Sequence, residues 1–515
     1  MLSELGIVAS LGLIFSLPTA LAQTASGCGD LVDAAATLAP SSCVSVADVT
    51  VSNNSPVTGV NLGNIQTIGG DLDLRGADLE SIEAPSLVDI TGDFTIQSSK
   101  LSSLEVSKLS SLGGDLSFEL SDSPLTNVNL NLSKIAVDSD FSFLPSGNIQ
   151  RLSLSVTPST SAGNRSLVID SLFALSVLQI QGVEFTAVNI TAASLSSIPN
   201  VWAPTVDGIK LYSLGLLGNI SVPVNTVGSS VALAGIGSPS VLFQNLTTIG
   251  GDFSLIQTET VELSLPRLRS VSGGFTVSQN DDLRSVSVGS LESVSNMAFA
   301  NNSVLAEILF PELETLGVLA LQYNNYMTTL DLQNWFPELS EVTEYITLAG
   351  QFDNVTFPAL QNGVGIKAPH ITVISSVELD CDAVKNEVIA KQAIGDPANL
   401  VCTSGPKGSK PSVTGSPTSS TSPSPTSTNG SNGGDGSGNG SSAGKSSTNV
   451  GAIVGGTIGG VVFLIVVAVL AWVYVRRRKP ESPGGQATSN KVGGIEDHVG
   501  GIDDAGQSAG GITSK

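Results

Sequence analysis

A repeat of fixed length constrains this chain more than any other feature. Hexamers IKLYSL, VALAGI, FSLIQT, FTVSQN, MAFANN and LALQYN begin at Ile209, Val231, Phe253, Phe275, Met297 and Leu319, each 22 residues after the last. The first and third residues of each hexamer are apolar, the period-two mark of a strand with one buried face. One short strand per period of about 20–30 residues is the signature of a solenoid. Such a turn buries its apolar residues only by stacking on the next turn. The strands are therefore expected to align as a parallel sheet along a mainly β, leucine-rich-repeat-like parallel β-solenoid.

Three asparagines close successive hexamers, at Asn280, Asn302 and Asn324. An Asn at one place in every turn can hydrogen-bond the backbone of its own bend and stack into a ladder, so these are read as structural. Glycine pairs before the strands, Gly250–Gly251 and Gly273–Gly274, suit a tight corner needing positive φ. An earlier block carries the same period: GGDLDL at Gly69, TGDFTI at Thr91 and GGDLSF at Gly113 place strand starts at Leu72, Phe94 and Leu116. From Phe141 to about residue 208 the pattern blurs around Pro145, Pro158, Pro199 and Pro204. Two readings stay open there: longer loops on one continuous coil, or a junction between two solenoid blocks (65–208 and 209–380). A longer period after Leu319 holds Tyr326, Trp335 and Phe336; packing on the coil and a ligand patch are both possible roles.

Four cysteines flank the repeats, Cys28 and Cys43 before them, Cys381 and Cys402 after them. A solenoid has two raw ends, and disulfide-stapled caps cover such ends in secreted proteins. Pairings Cys28–Cys43 and Cys381–Cys402 are expected, within caps at 23–64 and 381–402. The cysteine spacing holds no metal-ligand pattern, and neither a metal nor a cofactor is expected.

The flanks give a topology. Residues 1–22 read as a signal peptide, with an apolar run from Leu5 to Leu17 and Ala20-Leu21-Ala22 before Gln23. Residues 403–449 are a Ser/Thr/Pro/Gly-rich stalk that cannot bury enough surface to fold. Val450 to Val475 lacks any charged residue, and a helix of that length spans roughly 39 Å, enough for a hydrocarbon core of about 30 Å. Arg476-Arg477-Arg478-Lys479 follows at once, so the tail at 476–515 is placed in the cytoplasm and the chain is read as a type I plasma-membrane protein. Gly451, Gly455 and Gly459 would let two such helices approach closely, a route to a homodimer. Sequons begin at Asn53, Asn131, Asn164, Asn189, Asn219, Asn245, Asn301, Asn354, Asn429 and Asn439, all before that span. Asn301 adjoins Asn302, so the two side chains should point opposite ways.

Charge and chemistry narrow the function. The net charge of −23 excludes nucleic acid and anionic membrane surfaces as natural partners. Outward positions in the regular block, such as Ala232, Ala234, Thr276, Ala298 and Ala320, are small and uncharged and cannot do acid–base work. The earlier block is more polar outward, with Asp73, Arg75, Gln97 and Glu119, and is read as a solvated face. No P-loop or His-based triad occurs.

The GGD/GGF turns, flanking cysteine pairs, Ser/Thr-rich stalk and many sequons resemble a fungal surface family over about residues 28–402. These are the receptor-L-domain proteins of the extracellular-mutant/sporulation-specific group. Leucine-rich repeat ectodomains share the F-x-V-x-x-N-x-x-L pattern seen from Phe275 to Leu283. The resemblance implies a role in cell-wall organisation and carries no catalytic residues. Well-known members hold a GPI anchor, whereas a spanning helix and basic stop are read here. The expectation is a non-enzymatic surface glycoprotein whose partners are cell-wall glycans or surface proteins. The alternatives are a receptor or adhesin signalling through its tail, and a β-helix polysaccharide-active enzyme.

Overall fold

A computed structural model describes residues 27–411, apart from 137, 146–147, 158–162, 193 and 358–366. The expected signal peptide at 1–22, most of the expected stalk, the expected span at 450–475 with its glycine face, the expected tail, Asn429 and Asn439 lie outside the described residues. Among the described residues no helix is long and apolar enough to cross a membrane.

The chain coils into a parallel β-solenoid of about 15 turns. Each regular turn carries three short strands. A two-residue leading strand such as Thr248–Ile249 is followed, past a corner, by the repeat's own strand, Phe253–Ile256, and then by a trailing strand, Glu262–Ser264. The repeat strands form one long sheet in which Ile209, Val231, Phe253, Phe275, Met297 and Leu319 are direct neighbours in consecutive rungs. The burial alternates as the sequence requires: Phe253 and Leu255 are buried, while Ser254 and Ile256 are half-buried on the outer face.

The blurred region is resolved as one continuous coil. Phe141 pairs with Leu167, Leu167 with Val188 and Val188 with Ile209, so the long sheet crosses it unbroken. The other two faces are interrupted: the leading sheet of the first block ends at Lys134–Ile135 and resumes at Thr205–Val206. Both caps are also smaller than the cysteine positions imply. Leu31–Val32 and Val49–Val51 are already rungs of the long sheet, and Leu400–Thr403, which contains Cys402, is its last rung. What covers the C-terminal end is the helix Cys381–Ala390, started by Asp380, whose carboxylate accepts the N–H groups of Asp382 and Ala383, and buried through Val384 and Val388.

Inside the coil one apolar core runs from Leu31 to Leu400. Its largest members are phenylalanines stacked rung on rung. Phe94, Phe118 and Phe143 meet edge to face at centroid distances of 5.2 and 5.6 Å, and Phe253 lies parallel to Phe275 at 4.7 Å. Each fully buried ring contributes about 1.5–3 kcal/mol of transfer free energy, more than the cost of fixing its two torsions. Trp335 and Phe336 belong to this core: Phe336 is fully buried and stacks on Phe310 at 5.6 Å, so the long period after Leu319 packs these two aromatics inward, while Tyr323 and Tyr326 stay exposed.

The two corners of the long strand work differently from expectation. Gly250, Gly251, Gly273 and Gly274 do not have positive φ. Gly250, Gly251 and Gly273 are needed because successive turns nearly touch there. A Cβ on Gly250 would overlap Gly228 O, one on Gly251 would lie 2.5 Å from Ser229 O, and one on Gly273 would lie 2.9 Å from the Gly251 carbonyl carbon, whereas at Gly274 it would meet only ordinary contacts. Positive φ falls instead on the corner after the strand, at Ser213, Gly235, Gln257, Gln279, Asn301 and Tyr323, with φ between 54 and 63°. The aspartate of the GGD corner has a role too. The carboxylates of Asp48, Asp71, Asp93 and Asp115 accept the backbone N–H of Asp71, Asp93, Asp115 and Asp140 in the next turn, at 2.7–2.9 Å.

Candidate interaction surface

Both disulfides form as paired by position, Cys28–Cys43 and Cys381–Cys402, with Cα separations of 5.8 and 5.7 Å. They staple the first and last turns, where a rung has a neighbour on one side only.

The asparagine column is buried, with Asn280 and Asn302 fully enclosed and Asn324 2% exposed. Asn302 Oδ1 accepts both the backbone N–H and the Nδ2–H of Asn280, at 3.0 and 3.1 Å, and Asn324 Oδ1 does the same for Asn302. Each Nδ2 also donates to a carbonyl of the preceding turn: Asn280 to Leu255 O, Asn302 to Val277 O and Asn324 to Phe299 O. The amides thus bond across turns rather than within their own bend. Thr258, one turn earlier, starts the column by donating its N–H and its hydroxyl to Asn280 Oδ1. The sequence shows Thr258 at the same register, but a threonine there carries no distinctive signal. The first block does this job with hydroxyls: Ser98 Oγ donates to Leu79 O and accepts the Lys100 N–H.

Of the sequon asparagines among the described residues, Asn53, Asn131, Asn164, Asn219, Asn301 and Asn354 are exposed, whereas Asn189 and Asn245 are half-buried. Asn189 lies on a repeat strand, and its Oδ1 is buried without a hydrogen-bond partner. Asn301 is exposed beside buried Asn302.

The polar outward face of the first block forms a shallow cleft of about 210 Å³ lined by Arg75, Gln97, Ser99 and Glu119, with Asn53 at its edge. Arg75 Nε donates to Asp73 Oδ1 at 2.7 Å, so that carboxylate is already paired. A glycan on Asn53 would stand over this cleft. Among the described residues no group of three or more His, Cys, Asp or Glu side chains could hold a metal ion. Asp73 and Glu119 lie on one face two rungs apart but in different columns: Asp73 aligns with Thr95 and Ser117, whereas Glu119 aligns with Gln97.

Comparison with known proteins is sparse. No family model matches the chain, and no solved structure matches it. A cell surface GPI-anchored protein of Arthroderma benhamiae is 27% identical over 181 residues, which is 34% of this chain. The match spans 44% of that relative's length. The chain is therefore similar, over about a third of its length, to a fungal cell-surface protein.

Proposed function

We propose that the chain is a non-enzymatic cell-surface glycoprotein that supports cell-wall organisation. Its receptor-L-like solenoid is held out on the stalk at 403–449 and anchored in the plasma membrane by the span at 450–475, with the tail inside. The observation that carries this reading is the similarity to a fungal cell-surface protein, joined to two disulfides that persist only in an oxidising compartment. The exposed sequons, Asn53, Asn131, Asn164, Asn219, Asn301 and Asn354, are proposed to carry N-glycans, and the span's glycine face to pair two copies. In the second block the outer face of the long sheet supports a non-catalytic role: it presents Ala232, Ser254, Thr276, Ala298 and Ala320 in one row, with no carboxylate among them.

The test is a deletion strain of the source fungus exposed to wall-binding dyes. The strain is expected to be hypersensitive and to be rescued by a chain lacking residues 476–515. Unchanged dye sensitivity contradicts the wall role. Rescue that requires the tail favours the signalling receptor instead, and release of soluble sugar from wall polymers by the purified chain favours the enzyme.

A further inference from the structure

The corner before the repeat strand changes character along the coil. At Asp71, Asp93, Asp115, Asp140 and Asp252 it is closed by an aspartate that accepts a backbone N–H of the next turn, whereas Ser166, Ala187, Gly208 and Ser230 hold that place in the turns between Asp140 and Asp252. Asp252 accepts the Gly274 N–H at 2.7 Å. In the following turns that place is taken by Gly274, Asn296, Val318 and Tyr345. There the leading and repeat strands fuse into single strands, Ser270–Ser278, Ser293–Ala300, Thr315–Gln322 and Glu341–Gly350. The register shifts between Val271 and Gly274 and between Leu316 and Val318. A bulge of this kind bends the strand and re-aims its side chains, and bulges cluster beside binding sites.

The bend hollows the surface. A trough of about 400 Å³ lies over the bulged residues, lined by Ser272, Ser295, Asn296, Thr315 and Thr343. It meets at Thr343 a second hollow of about 610 Å³ that reaches Lys367 and Gln392. Tyr345, 44% exposed, stands directly after Thr343 and Glu344 on the same strand.

A second, independent observation concerns the sequons. Within 209–380, Asn219 directly precedes a trailing strand, Asn354 begins one, Asn301 sits at the corner leading to one, and Asn245 follows one. None lies on the leading strands, the repeat strands or the corner between them. Glycans are bulky surface groups, so this trough is the side of the second block that they leave open.

We propose that this trough binds a neutral, extended β-linked polysaccharide strand lying along the solenoid axis. The inference rests on the surface-glycoprotein reading and names the partner. Rungs repeat at about 4.8 Å, close to the advance of one residue in an extended β-linked chain, so successive sugars lie over successive turns. Hydroxyls at Ser272, Thr315 and Thr343 and the amide of Asn296 match the hydroxyl edges of such a chain, and the Tyr345 ring offers a face to its C–H surface. Glu341 and Glu344 accept from sugar hydroxyls, whereas with a net charge of −23 the chain repels an anionic polymer.

The experiment uses the full-length glycosylated chain in co-sedimentation with three materials: an insoluble β-1,4-linked N-acetylglucosamine polymer, an insoluble β-linked glucan, and isolated walls. Ser293→Asn creates the sequon Asn-Val-Ser at the trough, so its glycan should fill the site; Ser293→Gln is the glycan-free control, and occupancy is read by mass spectrometry. Binding to one of the two polymers is expected, weakened at least tenfold by the glycosylated Ser293→Asn chain and by Thr315→Trp, and retained by Ser293→Gln. The polymer that binds identifies the sugar. Binding to neither polymer, or equal binding by all variants, overturns the proposal. If the chain still binds isolated walls in that case, only the trough assignment falls; if it does not, the wall-support reading falls with it.

Discussion

Asn301 and Asn302 are neighbours with opposite duties. Asn302 is enclosed and satisfies two donors of Asn280 while donating to Val277 O. Asn302→Ala strands those donors in the core and should cost about 3 kcal/mol, since each buried unpaired group carries a penalty of that order; denaturant midpoints measure it. Asn301 is exposed at φ 57°, a conformation that glycine adopts freely. Asn301→Gly should therefore remove the sequon and shift stability by less than about 0.5 kcal/mol. At the N-terminal turn the Asp33 carboxylate accepts the Ser52 backbone N–H at 2.8 Å, and this bond holds its pKa below the ordinary 3.8. A carboxyl whose folded pKa lies below its unfolded value contributes stability in full above the unfolded value. That contribution is lost as pH falls through the folded one. The thermal midpoint should thus decline as the solution is acidified below pH 3.8, and Asp33→Asn should flatten part of that decline.

Among elements, the corner before the repeat strand shows what sequence reasoning could and could not see. The glycine pairs locate the tight corner in the sequence but do not reveal its cause. A pair of glycines announces either positive φ or close approach, and only the stacked geometry distinguishes them. The positive-φ corner itself was hidden, because Ser213, Gln257, Gln279 and Tyr323 are not residues that advertise it. The aspartates of the GGD corners were equally silent, since their partners are backbone N–H groups one turn away, which no local pattern reveals. The strands were legible because burial on one face imposes alternation within four residues. Cap limits were not, because Cys402 lies on a rung and the capping is done by a helix that starts at Cys381. Close approach makes a specific prediction. Gly250→Ala forces a methyl group against Gly228 O and should destabilise by about 1–3 kcal/mol. Gly215, with nothing within 4 Å of its would-be Cβ, should accept Ala within about 0.5 kcal/mol. Paired thermal melts decide it.

At the scale of the whole molecule, the solenoid converts a short local rule into a long rigid surface. Each turn contacts its neighbours, the disulfides staple the two ends, and the outward residues repeat at the spacing of the rungs. The proposed fit to an extended, repeating partner rests on that periodicity. From Ser270 onward the leading and repeat strands fuse, and the register shift between Val271 and Gly274 marks where this surface changes. The most direct test of the stacked coil is oxidative cross-linking of paired cysteines on the outer face of the long sheet. Ser254 and Thr276 are partners in adjacent rungs, whereas Ser254 and Ala298 are separated by one intervening rung. Adjacent rungs place Cα atoms about 4.8 Å apart, within disulfide reach, and alternate rungs about 10 Å apart, beyond it. Rapid bridging in Ser254→Cys/Thr276→Cys, with none in Ser254→Cys/Ala298→Cys, is the predicted result. Equal bridging in both, or none in the adjacent pair, would contradict the coil.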